Sequence, residues 1–204
     1  MALEIIDSDG LGALSMRELA KRLGVNAPSL YHYFDGKEAI LLAVAHKLIA
    51  RMPARKPMEA PWREYFVGVM IEYRRVLAAH PNTIGLMAHL RLASLITDST
   101  FEHGTSAMAD SGVPPELMLT ITEAAEAFVF GWAFTRLGDT TLPELPANGP
   151  ARRGLTETNT LSEDARFELA CYALTDGFIT MTDDDKLTRL RRRSARHGTS
   201  ASPQ

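Results

Sequence analysis

Arg17, Ser29, Tyr31, His32 and Lys37 bring a guanidinium, hydroxyls, an imidazole and an ammonium into one short stretch near the N-terminus. The chemistry these groups suit is recognition. A guanidinium can donate two parallel hydrogen bonds to a guanine edge, compact or planar side chains suit base edges and thymine methyls, and a lysine suits a phosphate. Elsewhere nothing joins a nucleophile to a base. The chain carries no G-x-S-x-G elbow, Walker loop or dinucleotide fingerprint, so no catalytic residue and no cofactor is expected. His46, His80, His89 and His103 lack a recognised zinc spacing, and no metal site is expected. Cys171 is the single cysteine. It excludes an internal disulfide, and its apolar, mid-helix neighbourhood predicts an inert thiol.

Three short elements must position these groups. In "SMRE", Ser15 and Glu18 have the spacing of a capping box, in which each side chain satisfies a backbone N–H at a helix start. Leu19, Ala20 and Leu23 then form an inward stripe, and Gly24 supplies a left-handed stop. Asn26 can cap the next helix, with Pro28 tolerated in its first turn. Asp35 and Glu38 repeat the capping signal before a third helix whose Ile40, Val44 and Leu48 share a face. On a helical wheel Leu30 and Phe34 face the core, Pro28 and His32 point the opposite way, and Ser29 and Tyr31 flank them. Helix, tight turn and short helix make a helix-turn-helix. Lys37 in a first turn opposes the macrodipole unless an anion sits there, in which case free N–H groups and the ammonium clasp it together.

Charge is divided along the chain. Residues 1–52 hold six Lys/Arg against six Asp/Glu, residues 53–182 ten against sixteen, and residues 183–204 six against three. The acidic middle repels polyanions, which directs any nucleic-acid contact to the N-terminal part. No apolar run approaching the roughly 20 residues of a bilayer span is expected, and no secretory pattern opens the chain. A cytoplasmic protein without a membrane partner is the expectation.

Helical periodicity recurs and strand signals are nearly missing, so the predicted fold is all-α. Helices are expected at 1–8, 15–23, 27–33, 36–51, 61–80, 83–92, 94–111, 114–137 and 163–182. Pro53, Pro57 and Pro61 mark a hinge, residues 139–162 a mobile loop, and residues 183–204 a disordered tail.

The stretch "LSMRELAKRLGVNAPSLYHYFDGKEAIL", residues 14–41, resembles the DNA-binding signature of the TetR family of bacterial transcriptional regulators. The resemblance implies a three-helix DNA-binding domain over 1–46, a connecting helix end and hinge at 47–56, and a helical ligand-binding and dimerisation domain over 57–182. It implies contacts to double-stranded DNA from Arg17, Ala27, Pro28, Ser29, Tyr31 and His32, with Lys37 on the backbone. It also implies a longer first helix and a basic arm. Only "MALEII" precedes Asp7, which points to a start assigned too late or a truncated chain.

In the second part, residues 114–137 are apolar on nearly every side, as a helix inside a core or across a subunit interface is. Residues 163–182 behave similarly. The resemblance assigns such a pair to a four-helix homodimer bundle, with Leu117, Ile121, Phe130, Gly131, Phe134, Phe167, Cys171, Leu174, Gly177 and Phe178 as interface positions. Met70, Tyr73, Leu77, Met87, Leu90, Phe128 and Trp132 are the expected lining of an effector pocket, apolar and soft enough for a small, largely apolar compound. The expected function is a ligand-responsive regulator, a repressor released from a palindromic operator. The alternative is a helical ligand-binding or scaffold protein whose helix-turn-helix no longer binds DNA.

Overall fold

The computed structural model describes residues 1–52, 61–90, 98–137, 161–182 and 188–189. Nine α-helices are present among them, and no strand: α1 (Ala2–Asp9), α2 (Met16–Leu23), α3 (Ala27–Tyr31), α4 (Lys37–Ile49), α5 (Trp62–Ala79), α6 (Ile84–His89), α7 (Asp98–Asp110), α8 (Pro115–Leu137) and α9 (Glu163–Thr182). Short 3-10 turns follow α1 at Leu11–Ala13 and α5 at Pro81–Thr83. The passage expected to act as a hinge at 53–60, the loop at 139–160 and nearly all of the expected tail lie outside the described residues.

Eight residues are too few for α1 to be stable alone. Its Ile5 and Ile6 are fully buried, and α1 packs on α4 and on the turn after α5. Tertiary burial therefore supplies what helix length does not. Ile40, Val44, Ala45 and Leu48 give α4 its inward face, as expected.

Helix α5 is the hub of the second part, where α7, α8 and α9 all pack against it. On α8 the buried positions are Leu117, Ile121, Ala125, Val129 and Ala133, a spacing of four that runs down one side. On α9 they are Phe167, Cys171 and Thr175, again four apart. The buried Thr175 hydroxyl donates within its own helix, to Cys171 O and Tyr172 O at 3.0 Å each, so no polar group is stranded there. Contrary to the expectation from sequence, Pro115–Thr135 is long and apolar enough to cross a bilayer by length and mean hydropathy (1.3). Only 28% of that span is buried, in one stripe on a helix that packs against α5 and α9, so much of it is uncovered within the protomer.

The candidate nucleic-acid interface

The reading head is assembled from local signals. The Glu18 amide donates to Ser15 Oγ at 3.1 Å, capping α2. The reciprocal half of the expected capping box does not form, because the Glu18 carboxylate turns instead to Arg22 Nε at 3.0 Å, with Lys21 Nζ 3.9 Å away. Arg22 also pairs with Asp9, tying α2 to the end of α1. Gly24 ends α2 at φ 70, ψ 25, the left-handed conformation that costs glycine nothing. Asn26 Oδ1 then accepts from both the Ser29 amide (3.0 Å) and the Ser29 hydroxyl (2.6 Å), fixing the start of α3.

Behind α3, Leu30 is buried and Phe34 is partly buried against the core. In front, Arg17, Pro28, Tyr31 and His32 are exposed, while Ala27, Ser29 and Lys37 are partly so. Two expectations need correction. Leu23 lies 46% exposed, outside the inward stripe, because the α2 stripe closes at Met16, Leu19 and Ala20. Asp35 does not cap α4. Gly36 is the N-cap, at φ 134, and places the carboxylate one residue too early to reach the helix amides. No side chain caps α4, so its first amides and Lys37 share an open end. Tyr33, as readily a packing residue as a contact residue on the sequence, is 81% exposed beside Tyr31 at 58%. Three positions after Leu30, it would sit near the inward side if the helix continued, but α3 ends at Tyr31 and frees it from that side. The face thus offers two phenols, an imidazole and two basic side chains around a rigid, capped turn.

The expected pocket residues divide into two clusters. Met70, Tyr73, Leu77 and Met87 are buried, and Tyr73 meets Phe130 of α8 edge-on at 5.5 Å. Phe128 and Trp132 instead join Phe167 of α9, at 5.5 and 5.3 Å. Leu90 packs at the edge of the core. The Tyr73 hydroxyl is buried and has no hydrogen-bond partner among the described residues. Burial, then the charge of Glu126, pushes its ionisation far above the ordinary tyrosine range, so it acts as a neutral donor.

The expected interface residues also divide. Leu117, Ile121, Phe167 and Cys171 are buried within the protomer's own core. Phe130, Leu174 and Phe178 are partly buried. Gly131, Phe134 and Gly177 are exposed, and with them Leu119 and Leu169, which sequence reasoning missed. A side chain added at Gly131 or Gly177 would meet nothing within 4 Å. The outer side of α8 and α9 therefore mixes apolar residues (Leu119, Phe134, Leu169) and small ones (Ala127, Gly131, Gly177) with Glu123 on the same stripe of α8.

Residues 1–44 match the family model described as bacterial regulatory proteins, tetR family. An HTH-type transcriptional regulator of Saccharopolyspora erythraea is 33% identical over 132 residues, 64% of this chain and 55% of that one. Residues 1–44 are thus similar to the DNA-binding part of that family. A class E tetracycline repressor from Escherichia coli is 26% identical over 137 residues, 64% of this chain and 63% of the repressor. The chain thus spans somewhat over half the length of these two relatives. A TetR variant from Acinetobacter baumannii AYE, solved in complex with minocycline, has the same fold, with a TM-score of 0.73 and 23% identity over 87% of this chain and 88% of that one.

Proposed function

We propose that this chain is a homodimeric, ligand-responsive regulator of the tetR family, a repressor that leaves a palindromic operator when a small, largely apolar effector binds. Residues 1–46 form the DNA-binding domain and residues 57–182 the sensing and pairing domain, joined through the end of α4. The protein binds its effector without transforming it, and works in the cytoplasm.

The observation that carries this reading is the arrangement of α3. Leu30 and Phe34 anchor it from behind while Pro28, Tyr31 and His32 stand exposed in front. A braced, solvent-facing helix of this kind fits a major groove, with Arg17 for a guanine edge and Lys37 with the open start of α4 for a phosphate. The exposed Leu119, Phe134 and Leu169 on α8 and α9, beside the open space at Gly131 and Gly177, support a two-fold pairing, which places two such heads one helical turn or a multiple apart, about 34–36 Å per turn. The buried core around Tyr73, Met70 and Met87 supports an apolar effector with one acceptor for the Tyr73 hydroxyl.

The test is binding to DNA from upstream of the chain's own gene, measured by fluorescence anisotropy against salt. Binding that weakens steeply with salt is expected. Arg17→Ala should cost about 1–3 kcal/mol and relax sequence preference, and Lys37→Ala should weaken binding uniformly across sequences. Equal affinity in both variants and the parent would overturn the reading.

A further inference from the structure

At the end of α5 a polar cluster joins parts of the chain distant in sequence. His80 ends α5, and its ring is held on both sides. Nδ1 lies 2.8 Å from Asp7 Oδ2 on α1, and Nε2 lies 2.9 Å from Arg51 Nη1, just past the end of α4. Asn82 reinforces the same junction by donating to Ile6 O and Asp7 O at 3.1 and 3.0 Å. The His80 carbonyl accepts from the Thr83 hydroxyl at 2.6 Å. The ring borders a cleft of about 280 Å³ lined also by Arg51, Glu72, Arg75, Val76 and Ala79, in which Glu72 is paired with Arg75 at 2.5 Å. The charged groups around the imidazole are thus Asp7 from α1, Arg51 from beyond α4, and the Glu72–Arg75 pair from α5.

A guanidinium has only N–H groups to offer. The Nε2 that faces Arg51 must therefore carry a lone pair, which places the single proton of the neutral ring on Nδ1, where Asp7 accepts it. Both ring nitrogens are satisfied only in this form. A second proton on Nε2 would set two donors and two positive charges against each other at that contact. Arg51 would have to leave, while the bond to Asp7 would gain charge and tighten.

We propose that His80 is a proton-operated joint: neutral, it ties α1, the end of α4 and α5 together; protonated, it keeps α1 and lets the end of α4 go. Imidazole is the side chain whose ordinary titration falls between about pH 5 and 8. On the reading above, α4 is the connection between the DNA head and the sensing domain, so loss of the Arg51 contact alters how firmly the two are coupled. The inference rests on that reading for its consequence and on geometry alone for its mechanism.

The experiment uses the full chain and needs no DNA or effector. Nitrogen-15 NMR of the imidazole should show the neutral ring of His80 protonated on Nδ1. Arg51→Gln offers Nε2 an acceptor as well as a donor, so the ring can keep both partners in either form and the pH dependence of Tm should shrink in that variant. His80→Asn keeps a donor near the Nδ1 position but cannot titrate. The Tm difference between the parent and His80→Asn should therefore change by a few degrees, roughly 2–4 °C, between acid and mildly basic buffer. An Nε2-protonated neutral ring, a pH dependence of Tm unchanged by Arg51→Gln, or a Tm difference flat with pH would each overturn the joint. Failure of DNA binding would leave all three readouts intact and would count against the regulator reading instead.

Discussion

Arg63 and Asp176 meet bidentately across two antiparallel helices, Arg63 Nε and Nη2 donating to the two carboxylate oxygens at 2.5 and 2.7 Å. Three turns further along α5, Arg74 repeats the arrangement with Asp164 at 2.6 Å and Glu163 at 3.0 Å, near the start of α9. Each guanidinium also lies over an aromatic ring of α9, Tyr172 at 4.4 Å and Phe167 at 5.1 Å. The two arginines thus fix the register of α9 on α5 at both ends, with the apolar contact of Phe167 and Cys171 between them.

Asp176 gives this clamp an acid limit. The hydrogen bonds from Arg63, opposed by a smaller desolvation effect, hold its carboxyl below the ordinary carboxylate range. A carboxylate depressed in the folded state contributes stability that is complete above its unfolded value, near 3.9, and is lost as pH falls through the folded value. Asp176→Asn should lower Tm modestly at neutral pH. The gap to the parent should then close on acidification below about pH 4. A gap that stays constant down to the acid transition would show that the ion pair contributes nothing.

Much of this architecture was legible because its signals are local. Ser15, Gly24, Asn26 and Pro28 each act within a turn of themselves, and the helices of the reading head begin and end where those residues demand. Period-four burial on α8 and α9 is also local, but which apolar side is inward is not. Leu117 and Ile121 face the protomer core while Leu119 and Phe134 do not, although all four are equally apolar in sequence. That choice belongs to α5, whose partners lie up to 113 positions away. The joint at His80 was illegible for the same reason, since Asp7, Arg51 and His80 share no spacing.

The caps carry measurable stability. Ser15→Ala removes the acceptor of the Glu18 amide, and Asn26→Ala removes that of Ser29. Each should cost about 1 kcal/mol in urea unfolding. Leu30→Ala, which opens a cavity beneath α3, should cost about 2–5 kcal/mol. The ordering matters more than the values, because Leu30 braces the reading face and the caps only terminate it. A cap variant more costly than Leu30→Ala would reverse that assignment.

Cys171 should be silent in the native protein. It is fully buried, and burial, with a smaller contribution from Glu168, pushes its thiol up to about 12. The thiolate is the reactive form, so both access and ionisation oppose reaction. A disulfide reagent such as DTNB should leave native protein unmodified at pH 8 and titrate one thiol per chain in denaturant. Rapid native labelling would place the thiol at an opening that the α5–α9 packing does not provide.

The outer face of α8 and α9 supplies the sharpest test of pairing. Ala127 and Gly131 on α8, and Ala173 and Gly177 on α9, are exposed, with Leu119, Phe134 and Leu169 also on the surface of these helices. Within the protomer a Cβ at Gly131 or Gly177 has open space around it. Leucine at both positions should therefore leave each chain folded, since glycine is also the poorer helix former by about 1 kcal/mol. Against a second copy the same side chains would hold two backbones apart and leave cavities around them. Light scattering should report a dimer for the parent and half that mass for the Gly131→Leu, Gly177→Leu variant, with helical circular dichroism unchanged. A variant that remains dimeric would move the interface elsewhere, while a parent that is monomeric at micromolar concentration would leave that face without its proposed partner.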